Sequence, residues 1–319
     1  MTVVSNDPAW WPTIITFREA SYFQVAALIV VVYDWVLTFG QEIEFIWRQH
    51  WSLMTVLYIS ARYIGTVSPA MALLESAPFI SLTDTVSGTL MYTIDWTFFL
   101  VNTALGVIMI SRLYAMHQRS RNILVFLIVI FMAIEIAVVV INGMIQKDGL
   151  MQISPPVAEE YVLSGIHLCG YNLPADTQFL TEMTWILGTA WEILTLCLAV
   201  WAAVQHFREL QRPGWAVGDC FVVLINTHVF YFASFFAVSC IHLIYDLTPK
   251  IAELPPTGYA FCVGILSIAS TVQMAVLGPR LILGLREYHA KLVANSDEGT
   301  AMTSIAFQER VHITTGSGV

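Results

Sequence analysis

Seven stretches of the chain are long and apolar enough to read as membrane-crossing helices: about 21–40, 51–74, 89–110, 122–144, 180–205, 219–245 and 258–283. Each is rich in Val, Ile, Leu, Phe and Ala and reaches the roughly 20 residues that a spanning helix needs. The segments between them hold the charge and most of the proline. The pattern predicts an all-α, polytopic integral membrane protein, a seven-transmembrane-helix bundle. It divides the chain into an outer N-terminal segment (1–20), a transmembrane domain (21–288) and a polar, Ser/Thr-rich tail (289–319), expected to be flexible and open to phosphorylation.

Composition agrees. The 319 residues are 57% hydrophobic and 12% charged, with a mean hydropathy of +0.70. A soluble domain carries about 25% charged residues, so this chain has too few to cover a folded surface in water. The net charge of -9 leaves no Lys/Arg stripe to replace phosphate counter-ions, which excludes nucleic acid as a partner. Cys169, Cys197, Cys220, Cys240 and Cys262 form no CxxC pair, so no zinc ribbon or redox motif is written here. "MTVVSNDPAWWPTIITFREAS" lacks a basic leader region and a cleavage pattern, and the first apolar segment is expected to stay as a signal anchor.

Arginine and lysine set the expected orientation. One side collects Arg48, Arg112, Arg119, Arg121, Arg208, Arg212, Arg280, Arg286, Lys291 and Arg310, and the other has Arg18, Lys147 and Lys250. The positive-inside rule then puts the N-terminus outside and the C-terminus in the cytosol. Within "YDWVLTFGQEIEFIWRQHW", Trp47 and Trp51 suit the headgroup level and Arg48 the cytosolic side. Glu42 and Glu44 in that connection are either a solvated face or contacts for Arg112 or Arg121, and Asp34, Glu42, Arg48 and Arg112 form a candidate cluster near the inner face. The outer connection 144–179 is too long for a simple turn and is either a lid over an outward pocket or a spacer.

Charged residues inside spans carry the chemistry, because each costs at least about 2.5–3.5 kcal/mol at the bilayer centre. Counted up from the inner helix ends, Arg62, Asp95, Glu135 and Glu192 fall in one midplane layer, with Asp34 below them. Three acids against one Arg imply that at least one carboxyl is neutral. These four residues are either a packing bridge with hydrogen-bonded neighbours, or a ligand or proton-relay site.

His242 and Asp246 are spaced i,i+4, but a zinc site needs further ligands, and no HExxH or second His pair supplies them. A hydrogen-bonded His at the outer edge is the better reading, so no metal or other cofactor is expected. A retinal Schiff base needs a Lys within a span, and Lys147, Lys250 and Lys291 all lie outside the windows. GxSxG, P-loop and dinucleotide motifs are absent, and no enzyme is expected. Outer acids, among them Glu75, Asp84, Asp148, Glu159, Glu160, Asp176 and Glu253, are either a field that favours cationic ligands or the ordinary charge of solvated loops. Cys169 has Cys240 and Cys262 as its plausible disulfide partners.

"YDWVLTFGQEIEFIWRQHWSLMTVLYISARYIG", "SRLYAMHQRSRNILVFL", "VFYFASFF" and "GPRLILGLREYHAKL" together resemble a family of fungal, basidiomycete-type seven-helix membrane proteins whose N-terminal region is a domain of unknown function. The matching positions are Tyr33, Asp34, Glu42, Glu44, Trp47, Arg48, Trp51, Arg62, Tyr63, Arg112, Tyr114, Ala115 and Arg280. The resemblance implies the fold and topology but no ligand or reaction. It also implies a Cys near the outer end of helix three, which "TVSGTLMYTIDWTFF" lacks.

The expected function is a receptor-like sensor in the plasma membrane or another secretory-pathway membrane. It would bind a small ligand from the outer side and meet a cytosolic signalling partner at the basic inner loops. The alternatives are a proton-coupled transporter using the midplane carboxylates and a structural membrane protein without a ligand site.

Overall fold

The computed structural model describes residues 3–76, 83–117, 119–151, 158–163, 166–171, 175–210, 219–248, 254–284, 286–287 and 290. The expected tail, apart from residue 290, lies outside the described residues, as do Lys250 and Glu253. The helices are α1 (Trp11–Glu42), α2 (Leu53–Ile59), α3 (Gly65–Ser76), α4 (Asp84–Met116), α5 (Arg121–Met151), α6 (Ala175–Leu210), α7 (Asp219–Leu247) and α8 (Pro256–Val272). A π turn at Ser60–Ile64 joins α2 to α3 as one rod. Two further π turns extend α1 through Ile43–Trp47 and α8 through Gln273–Leu277, after which helix continues to residue 284.

Five helices among the described residues are long and apolar enough to cross a membrane: Pro8–Trp47, Val86–Met116, Arg121–Ile145, Phe179–Gln205 and Pro256–Gly284. They coincide with five of the seven windows and make this an integral membrane protein of α-helices. Ser60, Arg62, Tyr63, Ser68 and Pro69 interrupt the apolar run of the α2–α3 rod. The first helix begins at Trp11, inside what the sequence assigned to the outer segment.

Helix α1 shows how the sequence suits lipid. Ala27, Val31, Asp34, Thr38 and Glu42 are buried, at spacings of three and four residues that share one helix face. Ile29, Val30, Val32, Val36 and Leu37 are exposed. In a bilayer the apolar positions face acyl chains at no cost, while the polar ones must find partners within the protein. Helix α5 goes further, presenting Val125, Phe126, Val129, Met132 and Ile136 outward.

The first and last rods lie side by side and parallel. Phe23 sits where a side chain on Gly264 would go, and meets Phe261 edge to face at 5.9 Å. The Gln24 amide donates to the Ser267 hydroxyl at 2.9 Å. Farther along, Val31 packs with Ala275 and Val276. The continuous core, with Ile46, Tyr58, Ile108, Leu113, Leu127, Ala199 and Ile282, occupies the half of the bundle away from the N-terminus. Between α4 and α5 the chain turns through Arg119, which takes the left-handed conformation (φ 61°) and donates its N–H to the Tyr114 carbonyl at 3.0 Å.

The connection expected to be a lid or spacer contains a sheet. Strands β2 (Ala158–Leu163) and β3 (Ile166–Tyr171) pair antiparallel, and β1 (Val3–Ser5), from the chain's start, pairs parallel with β2. The order is β1-β2-β3, with β2 packed on α4 and β3 on α3, and with Leu163 buried. Cys169 belongs to β3, and its side chain lies outside the described residues. Cys240 and Cys262 are free thiols within α7 and α8, so the anticipated disulfide from Cys169 to either of them is not formed.

Candidate functional site

The structure regroups the intramembrane charges. Arg62, expected beside the midplane acids, instead pairs with Asp34. Its side chain is 0% exposed; Nη1 donates to Asp34 Oδ2 at 2.5 Å and to the Ala275 carbonyl at 3.3 Å. Nη2 donates to the Thr38 hydroxyl at 2.5 Å, and that hydroxyl donates to the Asp34 carbonyl at 2.8 Å. Arg280 Nε completes the group, donating to Asp34 Oδ1 at 2.6 Å.

Depth explains the correction. The first helix runs on to Trp47 instead of ending near residue 40, so Asp34 lies 13 residues from that end, roughly 20 Å at the helical rise. That is the layer of Arg62. Both Arg62 and the Ala275 carbonyl sit in π turns, where the helix is locally widened and its regular hydrogen-bond ladder is interrupted. Gly65 then brings the rods together, since a Cβ there would stand 3.3 Å from Ala275 Cα. The result is a lock joining α1, the α2–α3 rod and α8.

The inner-face cluster does not assemble as expected. Glu42 is fully buried and accepts from the Tyr63 hydroxyl at 2.6 Å and from Trp47 Nε1 at 3.2 Å, without Arg112. Arg112 is buried and donates to the Leu281 carbonyl at 3.4 Å, its Nε having no partner. Glu44, Arg48 and Arg121 are exposed. The residue that ties this end together is one the sequence did not single out as a contact, Arg286. It donates to the Phe45 carbonyl at 2.6 Å, Ser52 Oγ at 3.2 Å and Thr55 Oγ1 at 2.7 Å, and burial draws its pKa below the ordinary arginine value.

The three acids left behind by Arg62 border one space from three different helices. Asp95 on α4, Glu135 on α5 and Glu192 on α6 line a cavity of about 460 Å³, completed by α7 and α8 in the half of the bundle nearer the N-terminus and the sheet. On α6 the lining positions Thr181, Trp185, Gly188 and Glu192 recur every three or four residues, which is one helix face. Glu135 accepts from the Thr103 hydroxyl at 2.9 Å. Glu192 lies close to the Ser239 hydroxyl, yet its Oε2 is buried without a partner. Gln273 Oε1 and Trp191 Nε1 are also buried and unpartnered.

Aromatic rings form much of the wall. Trp185 stacks on His242 at 4.4 Å and 7°, and it meets Phe98 edge to face at 5.9 Å. His242 Nε2 hydrogen-bonds Ser270 Oγ at 2.5 Å. The side chains of His228 and Asp246 lie outside the described residues. Among the described residues, no three His, Cys, Asp or Glu side chains gather where they could hold a metal ion. No Lys or Arg is among the described residues that line the cavity.

Residues 22–67 match a family of unknown function, DUF6533. The matched segment contains Asp34, Thr38, Glu42, Arg62 and Tyr63, which carry the lock and the Glu42 contacts, and none of the cavity acids. No curated protein and no solved structure matches the chain. The protein is thus an integral membrane helical protein carrying a DUF6533 segment.

Proposed function

We propose that the protein is a receptor-like sensor that takes a small ligand from the outer side into the α4–α8 cavity. On this reading all seven rods span the bilayer, as in the fungal seven-helix proteins that the chain resembles. The N-terminus and the sheet lie outside, and the C-terminal tail is cytosolic. Exposed Arg48, Arg119 and Arg121 at the opposite end face a cytosolic signalling partner. The chain performs no catalysis, and its home is the plasma membrane or another secretory-pathway membrane.

The cavity carries the proposal. The half of the bundle nearer the N-terminus holds a cavity of about 460 Å³, within the roughly 300–1,000 Å³ of small-molecule sites. Carboxylates are expensive at membrane depth, and three of them line this space with no Lys or Arg among its described lining residues. That His242 lines the same space also favours a second reading, a proton-coupled transporter, which proton flux into liposomes would reveal.

The test is thermal unfolding of the detergent-purified protein against cationic, neutral and anionic small molecules, run beside Gly188→Leu. Gly188 is on the lining face of α6 and has nothing within 4 Å of where a Cβ would stand, so a leucine there starts in open space and is expected to obstruct the cavity. A ligand at about 100 times its Kd adds roughly 2.7 kcal/mol. The unaltered protein is expected to show such a shift and Gly188→Leu to lose it. No shift from any compound, or one that survives the plug, overturns the proposal.

A further inference from the structure

We infer that the cavity's ligand is a protonated primary or secondary amine with an apolar body, its ammonium held by Glu192 and the side-chain oxygen of Gln273. This rests on the sensor reading of the same cavity and narrows it to a ligand class.

Charge gives the sign. Asp95, Glu135 and Glu192 line the space with no Lys or Arg among its described lining residues, so an incoming cation meets an attractive field that low-dielectric walls strengthen. Unfilled hydrogen bonds give the head group. Gln273 is 5% exposed, and its Oε1 and Glu192 Oε2 are both acceptors without a donor, whereas Glu135 already accepts from Thr103. Two acceptors short of donors suit an ammonium bearing N–H groups, and a quaternary ammonium, with none, leaves both unmet. The walls give the body: Phe98, Phe131, Trp185 and Trp191 line the cavity, and such rings attract cations and bury apolar groups together. A bare inorganic cation finds no cage, since no three ligating side chains converge among the described residues. An oxygen on the ligand's body would meet the unpartnered Trp191 Nε1–H.

The experiment titrates the unfolding midpoint of the full chain with 2-phenylethylamine and hexylamine. Controls are 2-phenylethanol, 3-phenylpropionate, the trimethylammonium counterpart of phenylethylamine, and sodium chloride. The amines are expected to give a saturable rise that the controls do not match. Glu192→Gln is expected to raise the half-maximal amine concentration at least tenfold, and Gln273→Leu reads the same contact should the first variant fail to fold. An equal rise from the alcohol, the carboxylate or the quaternary salt overturns the amine class, as does a titration unchanged by the folded variant. A response to the alcohol that Gly188→Leu abolishes would do so while leaving the cavity a ligand site. Silence from every compound overturns both.

Discussion

Replacing Asp34 with alanine is expected to destabilise the bundle by about 3–5 kcal/mol, the cost of breaking a buried ion pair from one side. Arg62 is 0% exposed and would keep only the Thr38 hydroxyl and the Ala275 carbonyl. With that side chain 0% exposed, bulk water does not touch it in the unaltered protein. Arg280 would lose the same partner, although its 46% exposed side chain can be solvated. Arg62→Leu is expected to cost less, because Asp34 keeps Arg280 at 2.6 Å and no charge is left alone. Unfolding of the three proteins in one detergent gives the order. Equal losses, or a greater one for Arg62→Leu, would show that Asp34 is not the hub of the lock.

The second large effect is expected from Gly264→Leu. The Cβ of any side chain there would fall on Cγ and Cδ2 of Phe23. Those atoms are at the base of the ring, so the ring cannot simply swing its far end away. The first and last rods must part, which strains the packing by about 1–3 kcal/mol and breaks the Gln24–Ser267 hydrogen bond nearby, a further 0.5–1.5 kcal/mol, roughly. A combined loss of about 1.5–4.5 kcal/mol follows. Phe23→Ala in the same chain is expected to restore part of it by vacating the clash. If Gly264→Leu unfolds like Gly188→Leu, where the space is open, the close approach of α1 and α8 at this level is wrong.

Much of the frame was legible because lipid imposes one simple demand, a long apolar run, and five such runs coincide with helices that meet it. The polar residues were harder. Asp34 and Arg62 both stood out as groups needing partners, yet the pairing was hidden by the extent of α1. "FGQEIEFIW" is not an apolar run, but the helix continues through it by burying Glu42 under Tyr63 and Trp47. Asp95, Glu135 and Glu192, which helical depth groups in one layer on paper, all line one cavity. Depth could not reveal Gln273 or Trp185, because it says nothing of rotation about the helix axis. Nor can letters separate a threonine that returns its hydroxyl to the backbone, as Thr97 does to Thr93, from Thr103, which also reaches Glu135. The three-residue β1 was not readable, since its pairing with β2 joins the start of the sequence to its middle.

The claim that these charges divide into a structural lock and a ligand cavity is tested most directly by unfolding Asp34→Ala and Glu192→Gln side by side, without ligand. Glu192 has a buried carboxyl oxygen with no partner, so an amide of the same shape relieves the cost of holding charge there. The expected midpoint of Glu192→Gln is at or above that of the unaltered protein, with Asp34→Ala far below. A loss from Glu192→Gln as large as that from Asp34→Ala would contradict this division, making the cavity acids structural and removing the reason to look for a ligand among them.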